Sequence, residues 1–348
     1  MPSQHLSSLT PGDALRASQS LVARRRGVPM LVSLRAAPPS SPAAPAARRG
    51  GGPGSAGAEL ADAFTEYHAR LSPDTEGTEA AVVAALQALA YAHLGPDRPA
   101  APRPEPGNPA GAVPGPPLSA DPGVSAGATA ADLRAGNFLR LVNYHNTPAG
   151  WKDELVTELR GYARDFGTVG VEDLEHFART GQWRSARPGL LPVFYEGYRD
   201  NYEVAAAACE EAGVTGWFFV CTQFVDTPAE EQYDYALAHR IKLVPENPRA
   251  ERIAMSWEEI ADLHRRGHVV TPHTASHALA RSVRTAADID REVSGPKRLM
   301  DRATGGSARC TAWLEGTNWT GESPADQALT GSGYHFVFSN TMVQRLPG

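Results

Sequence analysis

The stretch Leu190-Leu191-Pro192-Val193-Phe194-Tyr195-Glu196-Gly197 decides the fold. It opens with an apolar run, Leu190 to Phe194, of the length typical of a buried strand in a parallel sheet. A helical pattern follows from about Asn201 to Gly213, and a second apolar run covers Gly216 to Cys221. This order of strand, helix and strand predicts one α/β unit.

The same alternation extends in both directions from this unit. It predicts further strands at 138–144, 268–271, 309–313 and 334–339, and helices at 151–166, 171–180, 256–266, 285–304 and 324–331. Ser256 and Glu259 have the spacing of a capping box. Gly295-Pro296 is expected to interrupt the helix 285–304. We therefore predict an α/β fold with a parallel sheet or barrel covered by helices.

Composition changes sharply near residue 137. The stretches 36–55 and 99–129 are dominated by Pro, Ala, Gly and Ser, and such segments bury too little apolar surface to offset their chain entropy. Between them, residues 59–94 contain segments of helical periodicity. We predict two regions: 1–136, largely disordered with candidate helices at 59–94, and 137–348, a folded domain.

Composition also limits the classes of function and partner that are expected. The 348-residue chain has a net charge of −6, so a nucleic-acid partner is not expected. Cys209, Cys221 and Cys310 are widely spaced, which indicates neither a disulfide framework nor a cysteine-rich metal site. No apolar run reaches the ~18 residues that span a bilayer, so no membrane span is predicted. The expected location is cytoplasmic. Export by an atypical signal that begins at Arg24-Arg25-Arg26 stays an alternative.

Polar side chains follow the predicted strands. Glu196 follows the strand at 190–194, His273 and His277 follow 268–271, and Glu315 lies beyond 309–313. Because the carboxyl ends of parallel strands open on one face, these side chains are expected to converge there. The spacing of the two histidines would place both imidazoles on one side of a helical turn. Together with a carboxylate they predict a divalent metal site, with zinc preferred. Two solvated histidines are the alternative.

These motifs resemble the polysaccharide deacetylase family, also called the NodB-homology domain or carbohydrate esterase family 4. The segment 193–202 is similar to its first motif, Thr-Phe-Asp-Asp-Gly. His273-Thr274-Ala275-Ser276-His277 matches its second motif, His-Ser/Thr-x-x-His. Val142-Asn143-Tyr144-His145 is similar to the opening strand of many members, and 331–345 to the closing region. The resemblance covers about 138–348.

The resemblance implies a distorted (β/α) barrel of the NodB-homology type, preceded by the low-complexity region. It implies a divalent metal, usually zinc, held by Glu196, His273 and His277. It also implies a hydrolase that acts on carbon–nitrogen bonds other than peptide bonds, with a carbohydrate or small amide as its substrate. Whether the partner is a polymer, an oligosaccharide or a small amide stays open.

The sequence departs from the family pattern at the metal-binding aspartate, where Glu196 is a carboxylate that also binds zinc, and at the catalytic base. Tyr195 replaces the aspartate that acts as base, and a phenol with an ordinary pKa near ~10 is protonated at neutral pH. Tyr195 could instead donate a hydrogen bond to an oxyanion. Glu315 and Asp200 are the candidate replacement bases. The family's third motif, usually Arg-x-Pro-Tyr-Gly or Tyr-Pro-Tyr-Gly, reads Ala312-Trp313-Leu314-Glu315-Gly316 here and lacks the arginine that orients the base. Trp313, inside this motif, is the candidate sugar-stacking wall, and His145 is a candidate to bind substrate or supply the acid.

Three functions compete at this point. The first is an active metal-dependent deacetylase-like hydrolase that cleaves the N-acetyl amide of a carbohydrate or related small molecule. The second is a non-catalytic, carbohydrate-binding member, because the base and its usual arginine partner are lost together. The third is a different tailoring chemistry in the same pocket. Fold alone does not separate these functions.

Overall fold

The computed structural model describes residues 126–185, 187–249, 251–314, 323–338 and 343–345, with short segments at 20–25, 28–33, 61–62 and 65. The low-complexity stretch 36–55 and the candidate helix at 78–94 lie outside these residues. Residues 61, 62 and 65 have helical backbone, and Thr65 Oγ1 donates to Ala61 O at 2.7 Å. The division of the chain near residue 137 stays a prediction.

A largely parallel sheet forms the centre of the domain. Its strands are β3 (Phe138–Tyr144), β4 (Gly167–Thr168), β5 (Gly189–Glu196), β6 (Trp217–Val220), β7 (Val269–Pro272) and β10 (Val343–Arg345). The order is β10-β3-β5-β6-β7, with β4 beside the start of β5. All neighbours are parallel except β10, which runs antiparallel to β3. The structure therefore confirms the predicted α/β fold, and β10 is an element that the sequence did not predict.

Two further strand pairs are described. β1 (Ser20–Arg25) and β2 (Val28–Ser33) form an antiparallel hairpin. β8 (Cys310–Ala312) and β9 (Phe336–Phe338) pair in parallel. Side-chain hydrogen bonds, not a strand ladder, link β8 to β7: Thr271 Oγ1 donates to Cys310 O, and Thr311 Oγ1 donates to Pro272 O at 2.9 Å. Within the described residues, this link extends the main sheet toward the barrel that the resemblance implied.

Helices cover the sheet. They are α1 (Ala126–Arg134), α2 (Lys152–Asp165), α3 (Val171–Thr180), α4 (Ala206–Ala212), α5 (Thr222–Asp226), α6 (Gln232–Ala238), α7 (Trp257–Arg265), α8 (Ala286–Ile289), α9 (Gly295–Thr304) and α10 (Pro324–Gly331). Short 3₁₀ turns lie at Ala149–Trp151, Ala229–Glu231 and Ala280–Ser282, and π turns at Asn201–Ala205 and Asp290–Ser294. No helix among the described residues has the length and apolarity needed to cross a membrane.

Gly295-Pro296 does not interrupt its helix, contrary to the expectation from sequence. The π turn Asp290–Ser294 joins α8 to α9 without a break, and Gly295 N donates to Asp290 O. Proline lacks the N–H that an α-helix requires at this point. The wider π turn absorbs that defect by shifting the hydrogen-bond register by one residue.

The side chains of β5 divide between the two faces of the sheet. Leu190 and Phe194 pack with α1, α2, α4 and α7 in one buried cluster. Leu191, Val193 and Tyr195 pack on the opposite face, in a cluster that also contains residues of β8 and β9. Every residue of β5 is buried. Burial of each large apolar side chain contributes about 1.5–3 kcal/mol, so β5 is the strand that fixes both layers.

Candidate metal centre

Three parallel strands bring their carboxyl ends together at one edge of the sheet. β3 ends just before His145, β5 ends at Glu196, and β7 ends just before His273. β5 pairs with both β3 and β6, and β6 pairs with β7. The register of these pairs fixes where the carboxyl ends of β3, β5 and β7 lie relative to one another. The chain thereby places side chains from residues 145 to 277 around one point.

Glu196, His273 and His277 form a compact buried group. One ligand atom from each residue lies within 4.8 Å of the others. His277 Nε2 is 3.4 Å from Glu196 Oε1, and the two imidazole centroids are 4.9 Å apart. Two imidazoles and a carboxylate are a donor set that zinc accepts in catalytic sites. The three residues can therefore hold one divalent ion.

Backbone carbonyl groups orient both imidazoles. His273 Nδ1 lies 2.8 Å from Ala312 O, and His277 Nδ1 lies 2.9 Å from His239 O. A carbonyl oxygen only accepts, so each Nδ1 carries the proton and each Nε2 keeps its lone pair. This outer hydrogen bond is the usual way in which a metal-binding histidine is held in one tautomer.

The ligands lie on strained backbone. Glu196 has φ 69°, Thr274 φ 63° and His277 φ 60°, all in the left-handed region that non-glycine residues seldom adopt. The segment from His273 to His277 is thus a turn rather than the helical turn that the sequence predicted. At Glu196 the left-handed conformation ends the strand alternation and turns the carboxylate toward the histidines. Each such residue costs on the order of 1–3 kcal/mol, which the surrounding packing must offset.

Burial sets the charge state of the three residues. Burial raises the pKa of Glu196 to about 8, against the opposing charge of Lys242. Burial lowers the pKa of His277 to about 4 and that of His273 well below its ordinary value. Neutral imidazoles are the form that binds a metal. Glu196 Oε2 is buried and accepts no hydrogen bond in the described structure, and a cation at this point would satisfy that oxygen.

A protein-family model matches the part of the chain that runs from β5 to α10. Residues 190–331 match the family model described as polysaccharide deacetylase. Over this segment, which is less than half of the chain, the sequence is similar to the polysaccharide deacetylase family. The matched region contains all three residues of the candidate metal group, nearly all of β5 and the whole of β6, β7 and β8.

Solved structures of deacetylases are similar to the chain at low identity. Streptococcus pyogenes deacetylase PplD is 11% identical with a TM-score of 0.44, and the alignment covers 59% of this chain and 85% of that one. The BpsB deacetylase domain from Bordetella bronchiseptica is 16% identical, with a TM-score of 0.43 and coverage of 60% and 91%. IcaB from Ammonifex degensii is 17% identical, with a TM-score of 0.45 and coverage of 61% and 88%. No curated protein matches the sequence.

Tyr195, which the resemblance drawn from sequence places at the family's base position, lies beside the metal group. Its ring centroid is 5.2 Å from that of His273, 5.9 Å from that of His145 and 5.4 Å from that of Phe219. Burial raises the pKa of this phenol above its ordinary value, and the charge of Glu196 adds to that rise. Tyr195 is therefore neutral at physiological pH and does not accept a proton as an aspartate does.

His145 lies beside Glu196, and the side chain of Asn201 links the backbone of His145 to Asp200. His145 Nε2 is 3.6 Å from Glu196 Oε1, and the His145 side chain is 31% exposed. Asn201 Nδ2 donates to His145 O at 2.7 Å and to Asp200 Oδ1 at 3.1 Å. Burial raises the pKa of Asp200 to about 6, against hydrogen bonds from Thr147 and Asn201. Asp200 also lines a cavity of about 510 Å³.

The two residues predicted from the third motif have different outcomes. Glu315, the first candidate base, lies outside the described residues. Trp313 is only 2% exposed and packs in a core cluster with Val293, Leu329 and Tyr334. The prediction that Trp313 forms a sugar-stacking wall is corrected on this ground, because core side chains cover its ring.

The sequence did not identify the groups that support the ligands. The carbonyl oxygens of Ala312 and His239 contact the two histidines, and Glu292 contacts the turn between them. Any residue carries a carbonyl group, so residue type gave no signal for Ala312 or His239. For Glu292 the available signal was Gly295-Pro296, which marks a local change of helix geometry.

Proposed function

We propose that this chain is a divergent metal-dependent deacetylase-like hydrolase, which acts on the N-acetyl amide of a carbohydrate or related small molecule. The observation that carries the proposal is the buried group Glu196, His273 and His277 at the carboxyl edge of the sheet. The polysaccharide deacetylase match across the same residues supports a carbohydrate amide as the substrate class. The proposed reaction requires an acetamide group in the substrate.

The metal group would supply Lewis acidity. Glu196, His273 and His277 would hold the divalent ion, which when bound would lower the pKa of a water molecule and polarise an acyl oxygen. The chain itself orients the three ligands. Ala312 O and His239 O fix the imidazoles of His273 and His277, and the carboxyl edge of the sheet positions the carboxylate of Glu196.

Hydrolysis of an amide needs one group to take a proton from water and one to give a proton to the leaving nitrogen. Tyr195 does not take the proton, because its phenol stays neutral. We assign the acceptor role to Asp200, which Asn201 links to the backbone of His145 and whose pKa burial raises to about 6, with Glu315 as the alternative carboxylate. We assign proton donation to His145, which is partly exposed and adjoins Glu196.

A non-catalytic, carbohydrate-binding role is the second candidate function. The observation that favours it is Tyr195 itself, since an aromatic ring fills the place from which the family's base acts and packs against His273. In that case the metal group would bind substrate oxygens without turnover.

Metal content and acetate release together test the proposal. Purified chain is analysed for zinc and other divalent metals, then incubated with N-acetylated glucosamine oligomers. His273→Ala removes one ligand, and His264→Ala removes an exposed histidine from α7 as the matched control. We expect about one equivalent of metal and acetate release in wild type and His264→Ala, and loss of both in His273→Ala. Metal without acetate release would favour the second function, and absence of metal would overturn the proposal.

A further inference from the structure

The turn between the two histidines is held from two directions. Its carbonyl groups accept hydrogen bonds from the start of α5: Thr222 N donates to Thr274 O at 3.3 Å, and Gln223 N donates to Ala275 O at 2.9 Å. Its amide groups point the other way, toward α8 and α9. A turn with two left-handed residues keeps this conformation only when its neighbours enforce it.

We infer that Glu292 is a positioning residue for the metal group. Its side chain is 3% exposed, and Oε2 accepts from Ala275 N at 3.1 Å and from Ser276 N at 3.0 Å. Oε1 accepts from Ser276 Oγ at 2.8 Å and from Arg291 Nε at 2.9 Å. The two amides lie between His273 and His277, so one carboxylate fixes the backbone that sets the separation of both ligands.

Consecutive amide groups that converge on one point form a concave anion site. Here the anion is the side chain of Glu292, whose Oε2 accepts hydrogen bonds from Ala275 N and Ser276 N. Hydrogen bonds from N–H groups to a carboxylate are shorter and stronger than neutral ones. Glu292 therefore holds the turn more firmly than a neutral acceptor of the same shape would.

The π turn Asp290–Ser294 carries Glu292, and Gly295-Pro296 explains why a π turn forms there. In a regular helix Pro296 would face the carbonyl of Glu292, four residues earlier, and would offer it no donor. Gly295 N instead reaches Asp290 O. A Cβ atom at Gly295 would lie 2.6 Å from that oxygen, so only glycine permits the close approach. The local sequence thus shapes the backbone that carries Glu292.

This inference rests on the proposed metal-binding function, and its consequence is a change in metal affinity. If Glu292 sets the separation of the histidines, its loss should weaken metal binding by about 10- to 100-fold, the usual effect of removing an outer contact. A residue that only stabilises the fold would leave the affinity of the folded protein unchanged. Metal affinity therefore separates positioning from general stability.

The test measures the Kd for Zn²⁺ of the full chain by competition with a chromogenic chelator. Hydrogen exchange of the peptide that contains 274–277 is measured in the metal-free protein alongside. Glu292→Gln keeps the size of the side chain and removes its charge, and Ser276→Ala removes a single hydrogen bond to it. Asp290→Asn is the matched control, because Asp290 is exposed on the same π turn and pairs with Arg298 at 2.8 Å.

We expect a 10- to 100-fold rise in Kd and faster exchange at 274–277 for Glu292→Gln, a severalfold rise for Ser276→Ala, and no change for Asp290→Asn. A Kd within twofold of wild type in Glu292→Gln would overturn the inference and leave the proposed function standing. An equal rise in Asp290→Asn would overturn it too. If Glu292→Gln does not fold, an unchanged Kd in Ser276→Ala would overturn the inference in its place. Wild type that binds no Zn²⁺ would instead defeat the proposed function, and the inference with it.

Discussion

At the scale of single residues, Tyr195 and Glu196 are neighbours whose side chains both approach His273. The ring of Tyr195 lies 5.2 Å from that of His273, and Glu196 belongs to the metal group. Successive strand residues ordinarily point to opposite faces. The left-handed backbone of Glu196 removes that constraint at the last residue of β5. In the resemblance drawn from sequence, both aspartates of the family's first motif differ here: Tyr195 stands at the base position and Glu196, a residue that can also bind zinc, at the metal position.

Tyr195→Asp is predicted to increase acetate release. The substitution puts a carboxylate beside the metal group, and a general base typically contributes about 10²- to 10⁴-fold in rate. The lost aromatic ring leaves a cavity, which should reduce the free energy of unfolding by about 3–5 kcal/mol. Initial rates on N-acetylated glucosamine oligomers measure the gain, and thermal unfolding measures the loss.

Tyr195→Asn is the matched control for that substitution. Asparagine leaves the same cavity and has nearly the shape of aspartate, yet it does not accept a proton. A rate increase in Tyr195→Asp alone would show that proton acceptance is the missing function. Equal rate increases in the two variants would contradict this, and would instead attribute the increase to easier substrate access or a more flexible site.

At the scale of secondary-structure elements, His268 connects the starts of β6 and β7. Gly216 N donates to His268 Nδ1 at 3.0 Å, so that nitrogen carries no proton. The residue is 5% exposed, and burial lowers its pKa below the ordinary value, against the charge of Glu210. The folded protein therefore keeps His268 neutral at a pH where the unfolded chain protonates it.

The pH dependence of stability should show this effect. Below an unfolded-state pKa of about 6.5 the unfolded chain binds the additional proton, so the contribution of His268 is complete above that pH and is lost as pH falls. Between pH 7 and pH 5, wild type should lose more free energy of unfolding than His268→Gln, in which the amide oxygen can still accept from Gly216. Urea unfolding at several pH values measures the difference. The exposed His264→Gln should follow wild type, and parallel curves for wild type and His268→Gln would contradict the prediction.

At the scale of the whole molecule, the long connection from β6 to β7 completes the metal group. It contains α5, α6 and α7, and its His239 O contacts His277 Nδ1 at 2.9 Å. The buried side chain of Gln232 holds this connection together. Its Oε1 accepts from Ile253 N at 2.6 Å and from Ala254 N at 2.9 Å, and its Nε2 donates to Thr227 O at 2.9 Å.

Gln232→Ala is predicted to weaken both stability and metal binding. Each buried group left without a partner costs about 1–3 kcal/mol, and four backbone groups lose a hydrogen bond here: Ile253 N, Ala254 N, Thr227 O and Phe224 O. Because Gln232 begins the helix that leads to His239, His277 should also lose its fixed orientation. Chemical denaturation and Zn²⁺ competition measure the two effects. The exposed Gln223→Ala should stay within about 0.5 kcal/mol of wild type, and unchanged Zn²⁺ affinity in Gln232→Ala would contradict the coupling.

The sequence alone determined the order of the elements and the residues at the strand ends. The apolar run at 190–194, the capping box at Ser256 and the helix at 171–180 are local patterns, and the structure confirms each of them. Parallel pairing then required Glu196, His273 and His277 to share one edge of the sheet. Local periodicity was sufficient because each of these features depends on residues close together in the chain.

The tertiary structure alone decided how the residues at the carboxyl edge of the sheet are arranged as a candidate metal site. It set the left-handed backbone at Glu196 and His277. It also made contacts between residues that are 16 to 39 positions apart, namely those of Glu292 with Ser276, His239 with His277 and Ala312 with His273, and it buried Trp313. Such contacts form only when loops close and cores pack, and their free energies depend on burial that no local pattern records. A histidine pair with helical spacing therefore becomes a strained turn, because its neighbours in space outweigh the preference of its own segment.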